Sequence, residues 1–252
     1  MHCYWRHFTK KTKNTLINVI PFQSLGRANH GWLDARHHFS FARYYNPERV
    51  GYMPLLVWND DLIKPGTGFG MHPHDNMEII TYIREGAITH RDNMGNEGRT
   101  VAGDVQVMSA GSGVFHSEHN EGSVDTVLFQ IWIHTAVRDV KPRWETKTFP
   151  QNTQNKLVPF VSGRKIHQDD DVLSIYQDAA IFAGVIKQNK IFTQILEPGR
   201  HVYMVPSKGT IEINGQIAHP RDGIYIKDVN EIIITAISDA EIVLADLPLF
   251  TN

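Results

Sequence analysis

The chain has 252 residues, 41% of them hydrophobic and 21% charged, enough to bury the core of one large or two small globular domains. Lys plus Arg number 25 against 27 for Asp plus Glu, a formal net charge of -2, which excludes any bulk attraction for nucleic acid or for an anionic membrane. The one cysteine, Cys3, excludes an intrachain disulfide and makes no thiolate metal site. With no secretory leader and no apolar run of membrane-spanning length, the expected location is cytoplasmic.

The chain opens on a mildly basic stretch, MHCYWRHFTKKTKN, expected to be a disordered arm. An aromatic-rich segment, RANHGWLDARHHFSF, follows at 27–41. It is expected to precede a barrel, with His30, His37 and His38 packing in the core and a cover over part of the pocket as the segment's alternative role. From residue 78 onward, short strands with turn signals between them dominate. EIITYIRE (78–85) and AITHRD (87–92) read as strands, and NMGNEG (93–98) as a turn rich in Asn and Gly. DVQVMSA (104–110) reads as the next strand. TVLFQIWIHT (126–135) is long and apolar, as suits a strand buried on both faces. Residues 136–170 are polar, hold Pro142 and Pro150, and read as a crossover. A second strand-rich run follows at 179–186, 190–199, 209–215, 223–228 and 231–248. Regular short strands with glycine turns predict an all-β sandwich or barrel.

The two halves share a layout. PGTGFGMHPHDNMEIITYIREGAITH in the first and PGRHVYMVPSKGTIEING in the second each run from a Pro-Gly turn through a strand, a Gly turn and another strand. Two barrels of similar fold are predicted, residues 1–145 carrying the metal and residues 146–252 lacking ligands. Only His201 stands near the corresponding place in the second half.

The chemistry concentrates in GFGMHPHDNME (68–78) and GSGVFHSEHN (111–120). Residues two apart on a strand share a face, so His72 and His74 present paired imidazoles, and His116 and Glu118 repeat the offset. Pro73 cannot donate to a ladder and suggests an edge or bulged position. Facing one another across a barrel, these residues form a shell of three imidazoles and one carboxylate, suited to a divalent transition metal. With neutral imidazoles such a centre keeps a net charge of +1, which favours an ionised enol or phenol oxygen. Glu78 competes with Glu118. By simple alternation it faces the same side as the histidine pair, and could bind the metal or hold an imidazole from behind. His90 reads equally as a turn histidine or a pocket wall, while His119 and His134 are expected to face away. Met71, Met108 and Phe115 are candidates for shaping the pocket, with ordinary core packing as their alternative.

The stretches HGWLDARHHFSFARYYNP, GFGMHPHDNMEIITYIREG, THRDNMGN and GDVQVMSAGSGVFHSEHN resemble the pirin family of bicupins, and most closely its bacterial members described as quercetin 2,3-dioxygenases. The resemblance implies two stacked cupin barrels with one metal, Fe(II) first and Ni, Co, Cu, Mn or Zn as alternatives, in the N-terminal barrel. It places the ligands on His72, His74, His116 and Glu118. It further implies ring cleavage of a flavonol such as quercetin by dioxygen with loss of carbon monoxide, Glu118 serving as general base, or Glu78 in its place. Another enol or catechol is the alternative substrate. A metal- or redox-sensing regulator that binds a protein partner is the alternative function. No DNA-reading motif is present.

Overall fold

Side chains alternating apolar and polar at a period of two, with Gly and Asn at the turns, produce strands almost throughout. The computed structural model describes residues 16–148 and 155–250. The basic N-terminal arm, with Cys3, and Pro150 of the crossover lie outside the described residues. The strands are, in the first half, β1 (Leu16–Ile20), β2 (Gly26–Asn29), β3 (Leu33–His37), β4 (Leu55–Ile63), β5 (Thr67–His74), β6 (Met77–Glu85), β7 (Ala87–Asp92), β8 (Glu97–Val101), β9 (Asp104–Ser109), β10 (Val114–Asn120), β11 (Thr126–His134) and β12 (Arg143–Thr148). In the second half they are β13 (Val158–Ser162), β14 (Leu173–Ser174), β15 (Ala180–Ile186), β16 (Ile191–Ile195), β17 (Arg200–Lys208), β18 (Ile211–Ile213), β19 (Gln216–Ala218), β20 (Gly223–Lys227), β21 (Glu231–Ala236) and β22 (Ala240–Pro248).

These strands build two cupin barrels, each from one seven-stranded and one four-stranded sheet. The first barrel has the orders β12-β9-β6-β11-β4-β3-β2 and β5-β10-β7-β8. The second has β1-β20-β17-β22-β15-β13-β14 and β16-β21-β18-β19. The segment 27–41, expected to precede the barrel, instead supplies β2 and β3 of its large sheet. Arg143–Thr148, inside the expected polar crossover, is an edge strand paired with β9. The chain also crosses between barrels at its start, since β1 pairs with β20 of the second barrel.

The two large sheets lie back to back. Ile80, Tyr82, Phe129 and Ile131 from the first pack with Ile181, Tyr203, Val205 and Val243 from the second in one continuous core. Burying these side chains removes apolar surface from water at roughly 25 cal/mol per Å2, the term that holds the barrels together. The opposite faces of the same strands line the barrel interiors, and here the barrels differ. The second is filled by one apolar cluster around Val202, Met204, Ile224 and Ile242. In the first, two separate clusters, around Ile83 and Ile88 and around Ile79 and Met108, flank a polar centre. His201 belongs to neither interior. It shares the inter-barrel face of β17 with Tyr203, and its Nε2 lies 3.1 Å from the Met53 carbonyl oxygen. No helix among the described residues is long and apolar enough to cross a membrane.

Candidate metal centre

The polar centre is assembled by register. β10 lies between β5 and β7, with His116 directly opposite His72 on one side and opposite Asp92 on the other. A bulge then shifts the β5 pairing so that Glu118 stands opposite Phe69, with Gly70 and Met71 both facing Ser117. The strands approach closely at Gly68, where a Cβ would meet the Glu118 carbonyl oxygen at 2.2 Å and His119 Cα at 2.6 Å. Alternation turns His72, His74, His116 and Glu118 inward and Met71, Pro73, Phe115 and His119 outward.

The three histidines converge. A ring nitrogen of each lies within 4.8 Å of the others, the only such group of three metal-binding side chains among the described residues. The ring centroids of His72 and His116 are 4.4 Å apart, and those of His74 and His116 5.0 Å. Such close imidazoles cannot all carry charge. Burial, then the neighbouring His116 and His72, bring His74 down to about 4. Burial, then His72 and His90, bring His116 down to about 3. Both rings are therefore neutral at physiological pH, the form in which an imidazole can bind a metal.

Hydrogen bonds fix which nitrogen each ring offers. His72 Nδ1 donates to the Gly70 carbonyl at 2.7 Å, at the bulge, leaving Nε2 with its lone pair. For His116 the chain of reasoning starts at Asp92. Burial pushes this carboxyl upward, but hydrogen bonds from Asn96, His90 and the backbone of Asn96 and Met94 hold it below the usual range. An ionised Asp92 only accepts, so His90 Nε2, 3.1 Å away, carries a proton. The neutral His116 ring keeps its one proton on the nitrogen that has a partner, Nδ1, 3.4 Å from His90 Nδ1. His116 Nδ1 is the donor, and its Nε2 is a buried lone pair with no hydrogen-bond partner among the described residues. A buried imidazole nitrogen left in this state is what a metal ligand requires.

Glu118 is held just as firmly. The indole N–H of Trp144 donates to Gln106 Oε1 and that of Trp132 to Gln130 Oε1, each at 3.3 Å. Indole has no acceptor, so both carboxamides must turn their NH2 groups the other way. They donate to Glu118, Gln106 to Oε1 at 2.7 Å and Gln130 to Oε2 at 2.8 Å. Thr81 adds a longer contact of 3.4 Å to Oε1. Trp144 also stacks on His90 and Trp132 stands edge-on to His74, so the same two indoles brace both ends of the cluster. The three imidazoles suit a divalent metal ion; Glu118 faces the same interior but is not part of the group whose donor atoms lie within 4.8 Å of one another.

Glu78 lies elsewhere. The turn at Asp75 and Asn76 carries the chain from the small sheet to the large one, with Asn76 at a positive φ of 45°, so alternation does not run through from His74. Glu78 shares a face of β6 with Ile80 and Tyr82, the inter-barrel face, and accepts from Ser109 Oγ at 2.6 Å. Two of the proposed pocket-shaping residues also fall outside. Met71 and Phe115 are exposed on the outer face, and Met108 packs with Ile79, Ala110 and Val114. His119 lies on the outer face of its strand by alternation, and both it and His134 are half-buried.

Beside the histidines lies a recess of about 170 Å3, walled by Leu33, Phe41, Phe69 and Trp132 and floored by Asn59 and Asp61. His37 lines it, in keeping with the pocket-covering alternative for its segment, and its Nδ1 lies 2.8 Å from Asn59 Oδ1. Sequence reasoning passed over Gln106, Gln130, Asn59 and Asp61. Their signal was polar residues inside otherwise apolar strands, as in LLVWNDDLI.

Comparison with known proteins places this geometry. The pirin family model matches residues 19–133, and one described as a quercetinase C-terminal cupin domain matches residues 165–247. A pirin-like protein of Caulobacter vibrioides is 50% identical over 232 residues, covering 92% of this chain and 99% of the relative. The chain belongs to the pirin family. Among other pirin relatives, a protein named quercetin 2,3-dioxygenase from Escherichia coli is 42% identical over 234 residues, covering 92% of this chain and 99% of its own. The crystal structure of the bacterial pirin YhhW from Escherichia coli in complex with nickel(II) superposes with a TM-score of 0.87 at 39% identity, covering 93% of this chain and 100% of that one. The pirin fold thus accounts for both barrels, and the histidine cluster lies in the part matched by the pirin model.

Proposed function

We propose that this chain is a metal-dependent dioxygenase that opens the heterocyclic ring of a flavonol such as quercetin and releases carbon monoxide. The observation that carries the reading is the convergence of three imidazoles, with a carboxylate locked between two carboxamides, beside an apolar recess. The name of the Escherichia coli relative supports the reaction, and the nickel(II) complex of YhhW supports a divalent ion.

His72, His74, His116 and Glu118 would hold the ion. Fe(II) is our assignment, with Ni, Co, Cu, Mn and Zn as the alternatives the donor set admits. When bound, the ion supplies a Lewis-acidic, redox-active centre for an oxygen-bearing substrate and dioxygen. The protein's own residues do the rest. Leu33, Phe41, Phe69 and Trp132 desolvate the substrate ring and exclude water from it. Glu118 takes the proton of the substrate hydroxyl as general base. Oε2 is the oxygen placed to do so, because it accepts one hydrogen bond where Oε1 accepts two, and its partner Gln130 borders the recess. Gln130 and Gln106 keep the carboxylate in position while the proton arrives.

Flavonol-dependent oxygen uptake by the metal-loaded protein tests this reading. Uptake should be present in the wild type and lost in His116→Ala. Uptake that survives in a metal-free His116→Ala sample would overturn it.

A further inference from the structure

Asp61 is a buried acid with one oxygen left unpartnered among the described residues. It is 3% exposed, and its Oδ1 has no hydrogen-bond partner among the described residues. Its neighbour Asp60 points to the other face of β4 and is neutralised there by Arg84 and by Arg221 of the second barrel. Asp61 faces inward, onto the recess that holds His72 and His74. Burial of a polar group without a partner is unfavourable, so a fold that keeps one against a cavity favours an occupant that completes the hydrogen bond. Burial, with the charges of Asp60 and Glu118 nearby, pushes the carboxyl well above its usual range, so it can also donate.

The size of the recess limits that occupant. A cavity of about 150 Å3 takes one benzene ring, and sites for larger ligands usually run to roughly 300 Å3 or more. At about 170 Å3 the recess holds one substituted six-membered ring. Phe41 and Trp132 meet edge to face at 5.3 Å, and Trp32 braces Phe69 at 5.2 Å, so the walls are themselves fixed by aromatic contacts.

We propose that the recess is a single-ring subsite whose occupant carries two oxygen substituents, one directed to the histidine cluster and the other bound by Asp61. This deepens the dioxygenase reading and rests on its placing the reaction at the histidine cluster. A monocyclic diol fits the recess whole, whereas a three-ring flavonol inserts its heterocyclic ring, hydroxyl toward the histidines and carbonyl toward Asp61, and leaves the others at the mouth. Asp61 is thereby the residue that selects for the second oxygen.

The test is calorimetric binding, without turnover, to the nickel(II)-loaded protein under oxygen-free conditions. The probes are phenol and its three dihydroxy homologues, catechol, resorcinol and hydroquinone. At least one diol should bind the wild type about 10- to 100-fold more tightly than phenol, the effect of one well-made buried hydrogen bond. Asp61→Leu should erase that preference, bringing the diol-to-phenol affinity ratio to about one, and Asp61→Asn, which keeps a polar group of the same size, should restore part of it. Melting temperature serves as the folding control, and Asp61→Leu should melt no lower than the wild type, because it removes an unpaired polar group. A wild type with no preference for any diol, or a preference that survives in Asp61→Leu, would overturn the proposal. Because binding alone is read, absence of flavonol cleavage beside intact diol preference would count against the dioxygenase reading only.

Discussion

His90 and His116 meet through their Nδ1 atoms, 3.4 Å apart, and this contact turns the free Nε2 of His116 toward His72 and His74. The ionised Asp92 sets the proton on His90, and His90 sets the proton on His116. Trp144 lies flat on His90 with ring planes 7° apart, preventing the ring from turning over. Asp92→Asn should therefore weaken metal binding by about 10- to 100-fold, the usual effect of removing a group that orients a ligand, while the fold persists. Competition against a chelator of known affinity measures it. Unchanged affinity would show that His116 does not depend on this chain of protons.

The two candidate carboxylates should behave differently. Glu118→Gln replaces an acceptor by an amide whose NH2 meets the donors of Gln106 and Gln130, so metal content and flavonol turnover should both fall at least tenfold, in line with loss of a charged hydrogen-bonded ligand. Glu78→Gln should keep its metal, since that side chain lies between the barrels against Ser109. Metal analysis of the two purified variants decides the matter. Loss of metal from Glu78→Gln would contradict the inter-barrel placement.

Gly68 is where β5 and β10 come together. An alanine methyl there would meet backbone atoms on both counts, so the strands must separate. Gly68→Ala should destabilise the protein by about 1–3 kcal/mol, as overpacking does, and should lower metal affinity because His72 and His74 ride on the displaced strand. Thermal melting with and without metal reports both effects. A variant as stable as the wild type would show that the strand pair yields at no cost.

Stability should fall in acid before the carboxylates titrate. His38 is wholly buried against Tyr203, and burial, then Arg221 and Arg49, depress it to about 3. Burial likewise depresses His201 to about 4. The unfolded forms titrate near the ordinary histidine value of 6.5. Between those limits the unfolded chain binds more protons than the folded one, so stability present above the unfolded value is lost as pH falls toward 3–4. Each neutral buried ring contributes on the order of 3–5 kcal/mol at neutral pH by this linkage. Asp61 and Glu78 act oppositely. Their folded values are raised, chiefly by burial, so their contribution declines as pH rises above the usual carboxylate range. Denaturant midpoints recorded from pH 4 to pH 8 should rise with pH through the histidine range, more shallowly in His38→Gln. A flat profile would contradict the buried neutral assignment.

What the sequence made legible was local. His72 and His74, and His116 and Glu118, are two residues apart on single strands, so their shared faces follow from strand geometry alone. Glu78 was misread because the alternation count ran through Asp75 and Asn76, where the chain leaves one sheet for another. The Glu118 clasp could not be read at all, because Gln106 and Gln130 reach it from strands on either side in sequence, and their direction depends on two tryptophans elsewhere. The second barrel was legible by its repeated layout, yet its membership was not, since the pairing of Leu16–Ile20 with Gly223–Lys227 joins residues some two hundred positions apart. Long-range registers of this kind leave no mark at short spacing.

The most direct measurement is headspace carbon monoxide from the iron(II)-loaded protein incubated with quercetin in air, beside His72→Ala treated in the same way. The account predicts carbon monoxide rising in step with flavonol loss in the wild type and none from the variant. A fully iron-loaded wild type that consumes no quercetin and releases no carbon monoxide would contradict it.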